Sequence, residues 1–129
     1  MQTRGQVTAE LSKAIIKFER GHMGRGPKEV QTHLVNDMVV IRLKGVLTAA
    51  EHKLARNNEG IDLIKRVRSN LLEHSRSLLE EIIFEILGTR VISMHTDIST
   101  KTGDRVIIFM VEENLEQKYP CSSKEKKIK

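Results

Sequence analysis

Between Ile61 and Gly88 the apolar residues Ile61, Ile64, Val67, Leu71, Leu78, Ile82 and Ile86 recur at helical spacing, and Gly88 supplies a natural helix stop. A straight helix over Ile61–Leu87 would be roughly 40 Å long at ~1.5 Å per residue. That equals the diameter of a globule of this chain length, whose radius of gyration is roughly 14 Å. The pattern therefore predicts that the helix bends near Ser75-Arg76-Ser77 or projects toward a partner. A shorter apolar stripe, Val7, Leu11, Ala14, Ile15 and Phe18, predicts a first helix running to about Arg20, stopped by Gly21, Gly24, Gly26 and Pro27.

The remaining apolar runs are strand-like. Glu29 to Val35 and Met38 to Lys44 flank Asn36-Asp37, two residues that tolerate the positive φ of a tight hairpin. Arg90 to Ile98 and Arg105 to Glu112 flank Ser99-Thr100-Lys101-Thr102-Gly103-Asp104, a second hairpin connection. Between the hairpins, Thr48 and Glu51 have capping-box spacing and predict a short helix from Ala49. The fold class is α+β: two layers, a four-stranded antiparallel sheet from two hairpins, and long amphipathic helices in the order α-β-β-α-α-β-β. A weak internal repeat accompanies this order, with Ala14-Ile15-Ile16 parallel to Glu81-Ile82-Ile83 and Met38 to Ile41 parallel to Val106 to Phe109. It suggests two α-β-β units sharing one sheet.

Met38-Val39-Val40-Ile41 and Val106-Ile107-Ile108-Phe109-Met110-Val111 are apolar on both strand faces, whereas a sheet with one wet face should alternate. The helices cover one face, and only the short Ala49 helix is left for the other. A homodimer, formed through a sheet face or the long helix, is the economical solution.

The chain of 129 residues carries a formal charge of +5, of which +4 lies in its last twelve residues, so the other 117 stand at +1. Residues 1–117 read as one domain, followed by a basic tail, 118–129, assigned no structure, and nucleic acid is an unlikely partner. The single cysteine, Cys121, excludes an intramolecular disulfide and a cysteine-rich metal site. Met1 to Val7 has no apolar signal core, and no run approaches the ~18 apolar residues of a membrane span. The expected setting is cytoplasmic, with no membrane-spanning segment and no cofactor.

Ser93, His95 and Asp97 share one strand face, and His33 would lie near them if the two hairpins are neighbours; imidazole and carboxylate at this spacing can bind a metal or relay a proton. Gly24-Arg25-Gly26-Pro27-Lys28 offers two cations, Arg25 and Lys28, on a flexible backbone suited to an anion, although the spacing is not that of a phosphate-binding loop. Ser99, Thr100, Lys101 and Thr102 present hydroxyls and an ammonium to an anion or a partner, while turn chemistry alone also accounts for them. No catalytic motif is recognisable.

Three stretches together, Met23 to Val30, Val40 to Thr48 and His95 to Asp104, resemble the bacterial MpsC-like family over roughly residues 5 to 117. The resemblance implies a soluble accessory or regulatory subunit associated with a membrane system that generates membrane potential through cation movement and is related to inorganic-carbon uptake. It carries over no catalytic residues and marks the three stretches as interaction surfaces. The reading is thus an accessory binding protein, more in keeping with a non-enzyme, associated with a membrane transport protein. The alternative is a small metal-dependent enzyme or sensor using His95 and Asp97.

Overall fold

The computed structural model describes residues 2–24 and 26–120. Helix α1 (Arg4–Phe18) starts from a capping box in which Thr3 and Gln6 satisfy each other's backbone amides, and it buries Val7, Leu11, Ile15 and Phe18. It does not stop at Gly21. Residues Glu19–Met23 continue as one π-helical turn, which ends at Gly24 with φ of 108°. Strands β1 (Glu29–Val35) and β2 (Met38–Lys44) form the first hairpin, with Asn36 at φ 54° in its turn. Helix α2 (Ala49–Leu54) has the Thr48–Glu51 capping box expected of it. Strands β3 (Val91–Ile98) and β4 (Arg105–Val111) form the second hairpin, with a bulge between Val91 and Ser93.

The long helical pattern resolves into α3 (Asn58–His74) and α4 (Arg76–Leu87), bent at Ser75. The bend lets both halves reach one core, so the projecting 40 Å rod does not occur. The buried stripe differs from the one the spacing suggested. It runs through Ile64, Arg68, Leu72, Leu79, Ile83 and Leu87, while Val67 and Leu71 are exposed and Leu78, Ile82 and Ile86 are half-buried. An arginine inside the buried stripe broke the apolar period and moved the apparent face by one residue. Phe84 is exposed beneath the Arg90 guanidinium, at 5.7 Å from its ring centre.

The sheet is antiparallel throughout, in the order β1-β2-β4-β3. Leu11 and Leu79, Ile15 and Ile83, Val39 and Ile107, and Ile41 and Phe109 are each 68 residues apart in sequence. Val39 pairs with Phe109 and Ile41 with Ile107, so the same shift maps one central pair onto the other. The two α-β-β units thus share the sheet about an approximate two-fold axis, with the helices matched at a shift of 68 and not at the 67 that sets Ala14-Ile15-Ile16 against Glu81-Ile82-Ile83. Glu19 breaks this correspondence: its counterpart 68 residues on is the core residue Leu87.

One sheet face carries Leu34, Val39, Ile41, Leu43, Met94, Ile107, Phe109 and Val111 into the core with the helices. The opposite face has three rows: Val35, Met38, Met110 and Ser93; His33, Val40, Ile108 and His95; Gln31, Arg42, Val106 and Asp97. None of these twelve residues belongs to the core cluster, so both faces of the central strands are apolar and the helices cover only one.

Lys118 and Tyr119, read from sequence as the start of an unstructured tail, are packed. Helix α5 (Leu115–Lys118) is capped by Asn114, Lys118 pairs with Glu113 at 2.7 Å, and buried Tyr119 accepts a 2.7 Å hydrogen bond from Arg4 through its carbonyl. Cys121 and the rest of the basic segment to Lys129 lie outside the described residues.

Candidate functional site

Antiparallel pairing brings three connections to one end of the sheet: the segment entering β1, residues 45–48 leaving β2, and the loop 99–104 between β3 and β4. These are the connecting parts of the three stretches singled out in the sequence. Backbone hydrogen bonds hold them together, since Lys28 N donates to Lys44 O at 2.8 Å and Val46 N donates to Gly103 O at 2.9 Å.

The loop 99–104 is internally braced. Gly103 N donates to Ser99 O at 2.8 Å, Thr102 N to Ser99 Oγ at 3.2 Å, and Asp104 N to Thr102 Oγ1 at 3.3 Å. Gly103 takes φ of 77°, and a β-carbon there would stand 3.3 Å from the His52 ring. Glycine therefore serves both the turn and its close approach to α2.

Beside this loop lies an open cleft of about 670 Å³. It is lined by Asp97, Ser99, Thr100, Lys101 and Thr102 from the predicted set, and by Arg42, Ile61, Lys65, Ile98, Asp104 and Val106. Its ions are mostly paired: Arg42 with Asp104 at 3.4 Å and Lys65 with Asp97 at 3.5 Å. Lys101 has no ion-pair partner among the described residues. The cleft thus offers one ammonium unpaired among the described residues, hydroxyls, and apolar contact from Ile61, Ile98 and Val106, a combination suited to a polypeptide or a small anion.

Other predicted residues stand apart. Lys28 lies at the β1 side, its aliphatic stem against Gly45, about 14 Å across three strand spacings from β3. Arg25 lies outside the described residues. His95 is exposed on the uncovered face with Nε2 3.1 Å from Ser93 Oγ. His33 does not join it although the hairpins are neighbours: they adjoin through β2 and β4, so His33 and His95 occupy opposite edges of one row, again about 14 Å apart. Asp97, 82% exposed at its side chain, is engaged by Lys65 and also accepts from Ile98 N at 2.8 Å. Among the described residues, no group of three or more His, Cys, Asp or Glu is placed to hold a metal ion.

Sequence reasoning missed the charges buried beneath these connections. Glu19, on the π-helical turn, and Arg105, at the start of β4, are each 1% exposed. Glu19 Oε2 and Arg105 Nε and Nη1 have no hydrogen-bond partner among the described atoms. Burial pushes the Glu19 carboxyl above its usual value, against the pull of Arg105 and Arg68, and burial pushes Arg105 below its usual value against the pull of Glu19. Arg68 is held by Glu51 and the Val46 carbonyl. Strand alternation was the available signal for Arg105, because it shares parity with Ile107 and Phe109.

The family model described as "Na+-translocating membrane potential-generating system (MpsC)" matches residues 3–113. The chain belongs to the MpsC family. It is 40% identical over 116 residues to the Bacillus subtilis (strain 168) protein named "Uncharacterized protein YbcI", covering 90% of this chain and 94% of that one. A second relative from the same organism, "Uncharacterized protein YrhF", is 27% identical over 109 residues, covering 84% and 89%. No solved structure matches. The MpsC match spans all three connections around the cleft and the buried charges beneath them. No helix among the described residues is long and apolar enough to cross a membrane.

Proposed function

We propose that this MpsC-family chain is a cytoplasmic accessory subunit of a Na+-translocating membrane system and works by binding, not by catalysis. The match of residues 3–113 to the family described in those terms carries the reading. The chain acts as a homodimer and meets its membrane partner at the sheet end formed by the three connections. The braced loop 99–104, with Lys101 exposed on it, supports a preorganised contact surface, since a loop held by its own hydrogen bonds and by Val46 N loses little entropy on binding.

Affinity purification of the tagged full chain from its native cells in mild detergent, with mass spectrometry, tests the reading. Stoichiometric recovery of one integral membrane protein is expected, and the same membrane protein, tagged, should return this chain. Repeated recovery of the chain alone, or a tagged membrane protein that fails to return this chain, would overturn it.

A further inference from the structure

We propose that two copies of this chain meet face to face through the uncovered side of the sheet. This rests on the homodimer reading above and adds the surface that forms it. Met38, Val40, Val106, Ile108 and Met110 make a continuous apolar centre across β2 and β4, and none of them contributes to the core. Polar residues of the edge strands, among them His33 and His95, surround it. An apolar centre with a polar rim is the anatomy of an association surface.

The charges identify the occupant. The four formally charged strand residues of this face are Glu29, Lys44, Arg42 and Asp97, and each is already paired within its own protomer: Lys44 with Glu29 at 3.5 Å, Arg42 with Asp104, and Asp97 with Lys65. The face is therefore neutral in sum and carries both signs. Such a surface suits a copy of itself, whereas an anionic lipid surface or a strongly charged partner would be held by a net charge that these strand residues do not carry.

The dimensions are also adequate. Four strands ~4.8 Å apart and seven residues at ~3.4 Å give a plane of about 19 by 24 Å. Its corrugated side chains bring it near the ~600 Å² per partner at the lower end of stable interfaces. Two such sheets stacked ~10 Å apart would interdigitate as in a sandwich. The exposed strip Leu63, Val67 and Leu71 on α3 is the competing apolar surface.

Sedimentation equilibrium of the full chain, with Val40→Asp, Val106→Glu and Val67→Glu variants, tests the proposal. Wild type should sediment at twice 14.7 kDa. Val40→Asp and Val106→Glu should raise the dimer dissociation constant on the order of 100-fold, because a symmetric interface buries each new charge twice. Their circular dichroism should be unchanged, and Val67→Glu should remain dimeric. Val106 is already 38% exposed, so that variant carries the test if Val40→Asp fails to fold. Dimers that survive both sheet substitutions, or that dissociate only with Val67→Glu, would overturn the proposed face while leaving the homodimer reading intact. A wild type that is monomeric at every concentration would overturn both. Monomers that co-sediment with phosphatidylglycerol vesicles only while Val106 is intact would assign the face to lipid instead.

Discussion

Arg68 grips the same carboxylate that caps α2: its guanidinium donates to Glu51 Oε1 at 2.6 Å and Oε2 at 2.9 Å, while Oε1 also accepts from Thr48 N at 2.9 Å. A third bond runs from Arg68 to the Val46 carbonyl at 2.9 Å. One buried side chain on α3 thereby fixes both the start of α2 and the connection leaving β2. Arg68→Ala is expected to cost about 3 kcal/mol, since it strands a partly buried carboxylate and a buried carbonyl. Urea unfolding measures this, and a loss under 1 kcal/mol would show that the pair contributes little.

Glu51 also sets an acid limit. Burial raises its carboxyl pKa, but the hydrogen bonds from Arg68 and the Thr48 backbone outweigh burial and leave it below the usual value. A depressed folded pKa contributes stability that is present above the unfolded value and is lost as pH falls through the folded one. Unfolding curves from pH 6 to pH 3 should show this loss in wild type and a smaller one in Glu51→Gln. Parallel curves would contradict it.

Glu19 predicts the opposite slope. Its carboxyl is raised by burial, so the folded state holds the proton more tightly, and the resulting stability is present below the unfolded value and lost as pH rises through the folded one. Glu19→Gln should therefore remove this decline and match or exceed wild-type stability at pH 7. A large loss of stability at pH 7 would mean instead that the charged form is needed opposite Arg105.

Two glycines separate packing from backbone freedom. A β-carbon on Gly60 would collide with the Leu54 carbonyl, whereas one on Gly21 meets nothing within 4 Å. Gly60→Ala is expected to cost about 2 kcal/mol by forcing α2 and α3 apart. Gly21→Ala should be neutral or stabilising by about 0.5 kcal/mol, through the unfolded chain. Thermal melts of the two variants distinguish these outcomes, and equal melts would contradict the packing at Gly60.

The local elements were legible because each carried its own signal: continuous apolar, β-branched runs in β2 and β4, Asn36-Asp37 for the turn, Thr48 and Glu51 for the α2 cap, and Gly88 at φ 68° for the end of α4. The uncovered apolar face was legible for the same reason, since Met38, Val40, Ile108 and Met110 broke the alternation. What depended on tertiary partners was not legible. Arg68 belongs in the core only because Glu51 and Val46 meet it there, so its charge disguised the buried face of α3. The His33–His95 separation follows from β2 pairing with β4, a long-range choice that no local pattern encodes. Asp97 and Ser99 to Thr102 were found as candidates, but Arg42, Ile61 and Lys65 entered the cleft only through folding.

The accessory-subunit account is tested most directly by a photo-crosslinking amino acid placed at Lys101, in the cleft, and separately at Lys13, exposed on α1, in the full chain expressed in its native cells. The account predicts a defined adduct with one integral membrane protein from position 101 and none from position 13. Absence of any membrane-protein adduct at 101, or the same adducts from both positions, would contradict it.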